Sequence, residues 1–322
     1  MIFCLLVLVF SAHLVCMNLA AGGLLVASSI EVCLRRPEAV GTPIAARLAS
    51  HSIQGLLAGI LLGGAMLLFF WDESYQDLLF RRLGSRTYFG ILEIFFSLAL
   101  HAIYWRWAAT QKGALTKLQR YGRLFIAVVS SANLLYHFPT LFAIVAEVSK
   151  DSSPQSAPIG RTELYSYLRS GPILSHAIHF LLASIAVSGV TGAMFARKDP
   201  AAASVGRICT SLALISTVLQ IPVGIAVYLT LPGAAQQALI GSNLLLSIAF
   251  LASLASALWL MQSLLGQLPN DAPKSRPLWS ALALLVTILL MSAVLWGTRA
   301  NRLRPSASIP RMGSNELGRF LS

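Results

Sequence analysis

Apolar residues along this chain are gathered into eight long runs, which short polar segments separate. Each run has about 20 residues or more, the length that an α-helix needs to cross about 30 Å of hydrocarbon. Because lipid cannot hydrogen-bond the backbone, every run should be helical. The predicted spans are residues 2–30, 48–71, 88–109, 122–146, 172–196, 206–230, 236–266 and 278–298. The pattern therefore predicts an all-α, polytopic membrane helical bundle.

The spans divide evenly between the two halves of the chain. We expect two four-helix bundles, residues 1–150 and 151–300, followed by a basic C-terminal tail, 301–322. Composition agrees with membrane insertion, since 56% of the residues are hydrophobic and 11% are charged, against about a quarter charged in soluble domains. The opening run MIFCLLVLVF has no preceding basic segment, so we interpret it as a retained first span rather than a secretory signal.

The net charge of +12 would suggest a nucleic-acid partner, but the basic residues are sorted by loop, and we expect no nucleic acid. The positive-inside rule places the odd-numbered loops in the cytoplasm of a bacterium, the chain in its inner membrane and the N-terminus outside. The tail would then also lie outside. Either the span count is wrong by one, or the tail docks on an acidic extramembrane partner. The residues behind this assignment are Arg35, Arg36, Arg47, Lys112, Lys117, Arg120, Arg123, Arg197, Lys198 and Arg207 in the loops, and Arg299, Arg302, Arg304, Arg311 and Arg319 in the tail.

Histidine is distributed more unusually than any other residue. All six histidines lie within or beside the first five spans: His13, His51, His101, His137, His176 and His179. Ionisable groups in lipid are costly and tend to face a bundle interior, a cavity or a cofactor. A single such histidine is as often a hydrogen-bonded structural residue, but the set favours cofactor ligation.

The companions of these histidines indicate which cofactor they bind. A zinc or copper site usually recruits nearby carboxylate, cysteine or methionine ligands, and few are present. The four cysteines form no C-x-x-C pair, which excludes a covalent c-type haem and disfavours iron–sulfur ligation. Imidazoles on different helices suit b-type haem. We expect four small residues to leave space for the flat macrocycle: Ser184, Ser188, Gly189 and Gly192.

We assign His13, His137 and His179 as ligands of haem iron, with His176 as a neighbour, supporting group or ligand of a second haem. With the N-terminus outside, these four lie in the outer half of the membrane, whereas His101 and His51 lie nearer the inner face. We therefore expect two haems b in the outer half, and a third if the inner histidines also bind one. Glu93 is predicted either to handle protons or to remain a protonated, hydrogen-bonding acid.

Three segments of the first 200 residues carry a family resemblance. They are AHLVCMNLAAGGLLVASSIE (12–31), SSANLLYHFP (130–139) and GVTGAMF (189–195). Together they resemble subunit I of the cytochrome bd quinol oxidase superfamily, and VTGAMF is the most specific of them. The resemblance implies a haem-carrying helical bundle in which His13 supplies the early ligand.

This chain also departs from the family. His137 replaces a glutamine, the second histidine of the family falls at Ala183, and Glu93 is a single acid where the family has two. The haem-ligating methionine and the long quinol loop have no counterpart; only LPGAAQQ separates the sixth and seventh spans. An iron held by two imidazoles is closed to oxygen, so the departures favour electron transfer.

We therefore predict a membrane b-type cytochrome that passes electrons through bis-histidine haems within a respiratory oxidoreductase. Its partners would be other membrane subunits and an extramembrane redox subunit or cytochrome c, with quinone as a further reactant. One alternative is a quinol:oxygen oxidoreductase of the bd type. The other is a haem-free membrane scaffold or transporter.

Overall fold

The computed structural model describes residues 2–34, 41–69, 71, 76–148, 158–197, 199–269 and 276–302, with side chains to Thr298 in the last segment. Every regular element among these residues is helical. Eight helices are long and apolar enough to cross a membrane, which confirms the predicted polytopic all-α bundle. They are α1 (Ile2–Cys33), α2 (Gly41–Phe69), α3 (Ser85–Ala109), α4 (Lys117–Val148), α5 (Gly171–Ala196), α6 (Ala203–Leu229), α7 (Leu244–Leu265) and α8 (Arg276–Arg302).

Most helix ends lie within a few residues of the predictions, but the seventh span was predicted too long. It was expected from residue 236, whereas α7 begins at Leu244. A π-helical turn, Ala238–Ser242, comes first, and within it Gly241 has φ 141°, a conformation that favours glycine. The Asn243 side chain then caps α7 by accepting a backbone N–H of the first turn at 3.2 Å.

The helices pack as two rings of four. In the first ring α1 contacts α2, α2 contacts α3, α3 contacts α4, and α4 returns to α1. In the second ring α5, α6, α7 and α8 follow one another in the same way, and α8 returns to α5. Helix α1 also contacts α5, α6 and α8, so it joins the two rings. The predicted boundary at residue 150 and the tail beyond residue 302 lie outside the described residues.

The two ends of the bundle differ in their connections. The α1–α2, α3–α4 and α5–α6 connections share one end, which we call the basic end because Lys112, Lys117 and Arg207 are exposed there. The opposite end, which holds the start of α1, is called the N-terminal end. There the Ile159 N–H donates to the Arg82 carbonyl at 2.9 Å and ties the α2–α3 connection to the segment before α5.

Small residues let α5 approach its neighbours closely. Gly189 and Gly192 meet Cys209 of α6, and Gly22 of α1 lies against the backbone of Ser184. A Cβ added at Gly22 would collide with that backbone, which cannot move aside as a flexible side chain could. Two of the four small residues that were predicted to make room for a macrocycle, Gly189 and Gly192, are thus packed against α6. The glycines hold α5 against α1 and α6.

Candidate functional site

Two apolar clusters fill the first ring and its surroundings at different depths. The central cluster lies near mid-membrane and contains Met17, Ala20, Ala21, Leu56 and Leu134, with Phe138 and Phe180 packed against it. The cap cluster lies at the N-terminal end and contains Leu78, Leu79, Leu83, Ile144, Val145, Val148, Ile159, Leu164 and Ile173, with Leu67 and Leu141 beside it. The helix segments between the two depths carry four of the six histidines.

Four of the histidines lie at the depth where the central cluster ends and the cap cluster begins. In α4, His137 lies between Leu134 and the cap residues that follow. In α5, His176 and His179 lie between a cap residue and a central residue. In α1, His13 lies one turn from Met17 toward the N-terminal end. We call these four residues the histidine layer.

His13 is held by the neighbouring helix α2. Its Nδ1 lies 2.9 Å from the carbonyl oxygen of Gly59, and its ring packs against Gly63 one turn further along. Because a carbonyl oxygen only accepts hydrogen bonds, Nδ1 must carry the proton. The Nε2 lone pair is then left without a hydrogen bond from any residue that the structure describes. A metal-ligating histidine typically has this arrangement, in which the second nitrogen is fixed by a carbonyl.

His137 lies in a π-helical turn, Tyr136–Thr140, that interrupts the α-helical pattern of α4. Pro139 lies inside this turn and has no N–H to donate. Single π-turns are frequent at functional sites. Glu93 of α3 is half-buried and close enough to His137 for an electrostatic interaction. Glu93 therefore belongs to the surroundings of the histidine layer.

The two α5 histidines differ in exposure. The Nδ1 of His179 is buried and has no hydrogen-bond partner in the described part of the chain. His176 is exposed, and its Nδ1 lies 2.6 Å from the Pro172 carbonyl oxygen of its own helix. The structure thus separates a buried, unpaired imidazole from one at the surface. The assignment of His179 as a ligand stays a prediction, and its buried, unpaired Nδ1 makes it the better candidate of the two.

The remaining two histidines are used differently. His101 is fully buried, with Nδ1 2.8 Å from the Ser97 carbonyl oxygen and 3.0 Å from Ser130 Oγ, and Nε2 3.0 Å from the Ala20 carbonyl oxygen. Both of its nitrogens therefore have partners within the protein. His51 lies toward the basic end, where its ring packs on Phe195 with 4.8 Å between ring centroids.

Sequence reasoning missed a buried ion pair at the basic end. Glu31 follows the predicted first span directly, and Arg123 was counted among the basic loop residues. Both side chains nevertheless have 0% exposure, and Arg123 Nη1 donates to Glu31 Oε1 at 2.5 Å. The Tyr104 hydroxyl donates to Glu31 Oε2 at 3.2 Å. Arg123 Nη2 donates to the Trp107 carbonyl at 2.8 Å and to Gln111 Oε1 at 2.9 Å, which leaves its Nε without a described partner. This ion-pair network joins α1, α3 and α4.

A second polar group crosses the first ring between the network and the histidine layer. Ser131 Oγ donates to the Ala21 carbonyl at 2.6 Å, and Asn133 Nδ2 donates to Ser97 Oγ at 2.9 Å. Ser184 Oγ of α5 donates to Asn18 Oδ1 at 2.9 Å. These bonds fix the rotation of α1, α3, α4 and α5 and hence the direction in which the layer residues project.

The chain was compared with protein-family models, curated proteins and solved structures, and none of them matches it. The resemblance to cytochrome bd subunit I therefore stays a prediction that rests on the three quoted segments. No group of three or more His, Cys, Asp or Glu side chains suited to a metal ion occurs in the described part of the chain. Haem iron needs only one imidazole on each face, because the porphyrin nitrogens supply the remaining ligands.

Proposed function

We propose that the chain is a membrane b-type cytochrome, an electron-transfer subunit of a respiratory oxidoreductase. One observation carries this proposal: His13 Nδ1 is fixed by the Gly59 carbonyl, which leaves Nε2 as a lone-pair nitrogen at the depth of His137 and His179. The buried, unpaired Nδ1 of His179 supports the same reading. His101 fits the role less well, because both of its nitrogens are already bonded.

The histidines of the layer would hold haem b, and bound haem would supply one-electron redox chemistry. His13 contributes a ligand of fixed tautomer, since Gly59 holds its other nitrogen. The central and cap clusters exclude water from both sides of the layer. Glu93 places a carboxylate near His137, where it can take up or release a proton.

We further propose that the basic end faces the cytoplasm and the N-terminal end faces outward in a bacterial inner membrane. The histidine layer would then lie in the outer half of the membrane. Electrons would be exchanged there with an outer redox subunit or cytochrome c, and other membrane subunits or quinone would complete the path.

The test is a pyridine haemochrome spectrum and a redox titration of the purified full chain. We expect two protohaems per chain, with low-spin spectra, and a third if the inner histidines also bind one. His13→Ala should remove the absorbance of one haem, whereas the matched control His51→Ala should leave the spectrum unchanged. Protein that folds and elutes as a single species yet contains no protohaem would refute the proposal. Carbon monoxide binding by the reduced protein would favour an oxygen-reactive iron instead.

A further inference from the structure

A groove of about 410 Å³ opens on the surface of the bundle at the basic end, between the end of α1 and the start of α6. It is lined by Cys33, Ser204, Arg207, Ile208, Ser211 and Leu212. Except for Cys33, these residues recur at helical spacing along one face of α6. The groove is remote from the histidine layer, which lies toward the other end of the molecule.

The groove changes character along its length. Ser204 and Arg207 lie within the first two turns of α6, where Arg207 Nη2 donates to Ser204 Oγ at 3.4 Å. Ile208 and Leu212 follow, and both pack against the apolar core at the basic end. The groove therefore has a basic, hydroxyl-bearing mouth and an apolar wall.

The length of α6 places this change near the membrane boundary. Its 27 residues extend about 40 Å, whereas the hydrocarbon core is about 30 Å thick. Centred in the membrane, α6 would extend about 5 Å, or one turn, beyond the hydrocarbon at each end. Ser204 would then lie at headgroup level, the long Arg207 side chain would reach that level from the next turn, and the following turns would contact acyl chains. Positive charge lies at headgroup level and apolar surface at acyl level, a match in both charge and depth to a phospholipid.

We propose that this groove binds an anionic phospholipid, with its phosphate on Arg207 and Ser204 and the start of an acyl chain along Ile208 and Leu212. The guanidinium can form two parallel hydrogen bonds to the phosphate oxygens. In a zwitterionic lipid, the choline cation would partly neutralise the phosphate charge and so weaken this attraction. The groove is large enough for this part of a lipid, since small-molecule sites begin at about 300 Å³. The inference does not depend on haem binding.

The test is native mass spectrometry of the detergent-solubilised full chain, titrated with phosphatidylglycerol, with phosphatidylcholine and with inorganic phosphate. We expect phosphatidylglycerol to bind most tightly and Arg207→Ala to weaken it about five- to tenfold. Arg207→Lys keeps the charge and should retain part of the affinity. Ser211→Trp would fill the groove beside the acyl chain and should also weaken binding.

The matched control is Arg106→Ala, which removes an exposed arginine near the same end on α3, away from the groove. It should bind phosphatidylglycerol as the unchanged chain does. Equal binding by the Arg207→Ala variant, equal binding of phosphatidylcholine, or binding of inorganic phosphate as tight as that of the lipid would each overturn the proposal. Gel filtration of every variant checks that the folded species is compared.

Discussion

The basic end of the bundle and the histidine layer use their polar side chains differently. Toward the basic end, Glu31 and Arg123 neutralise each other, and Tyr104 and Gln111 take up further bonds. In the histidine layer, Nε2 of His13 and Nδ1 of His179 have no hydrogen-bond partner among the described residues. Arg123 Nε and His179 Nδ1 are both buried without a described partner, and each such atom costs about 1–3 kcal/mol. A guanidinium has no lone pair to offer iron, whereas a neutral imidazole nitrogen has one, so the histidine layer is where we expect a ligand.

Histidines that look alike in the sequence differ in how many of their ring nitrogens are hydrogen-bonded. His101 and His13 both lie on membrane-spanning helices of one ring, but His101 has both nitrogens bonded and His13 has only one. A buried imidazole can thus be a helix-to-helix connector or an available ligand, according to how many nitrogens its surroundings use. Substitution of His101, compared with that of His13, tests this distinction, and substitutions of Arg123 and Asp77 test a buried and an exposed ion pair beside it.

The largest effect should come from Arg123→Leu at the basic end. The substitution leaves the Glu31 carboxylate buried without its partner, and we expect it to lower the free energy of unfolding by about 3–5 kcal/mol. Thermal unfolding in detergent measures the loss. The double variant Glu31→Leu with Arg123→Leu removes both charges and should recover most of the stability. A single variant as stable as the unchanged chain would show that the pair is not buried as described.

A smaller effect should come from His101→Leu. The substitution leaves Ser130 and the Ala20 carbonyl without their partner, and we expect a loss of about 1–3 kcal/mol in unfolding free energy. Haem absorbance should stay unchanged in this variant. The comparison partner is His13→Leu, in which we expect the absorbance to fall. If His101→Leu folded normally but lost its haem absorbance, the assignment of the two residues would have to be exchanged.

The smallest effect should come from Asp77→Asn, at an exposed ion pair with Arg81 in the turn before α3. The Arg81 guanidinium lowers the pKa of the Asp77 carboxyl. A carboxyl whose pKa is lower in the folded state contributes stability above its ordinary pKa, and this contribution is lost as the pH falls through the lowered pKa.

We therefore expect the Asp77→Asn variant to unfold at a slightly lower temperature than the unchanged chain at pH 7. The difference should shrink as the pH falls below the ordinary pKa of the carboxyl and vanish once the Asp77 carboxyl is protonated in the folded state as well. Glu163→Gln, at an exposed residue of the short helix Arg161–Leu168, serves as the control for the removal of one carboxylate charge. A difference that grows on acidification would contradict the sign of this linkage.

The spans could be predicted because an apolar run of sufficient length has few alternatives to a membrane helix. The start of α7 could not, because it depends on the φ of Gly241 rather than on hydropathy. Glu31 and Arg123 are 92 residues apart, and nothing local indicates that they meet. The sequence showed only that Glu31 follows the first span and that Arg123 lies at the start of the fourth, which places both at the same end of the bundle. The partners of His101 likewise arise from packing between helices and leave no mark in the sequence.

The contact between the first and last helices bears on how the protein is made. Phe10 of α1 meets Trp296 of α8 edge to face, with 5.9 Å between the ring centroids. A ribosome releases α8 only after α1 to α7 have been synthesised, so until then part of the α1 surface lies in the bilayer without this neighbour. We expect chains truncated before α8 to be held by insertion factors or degraded, because α1 then lacks its last neighbour.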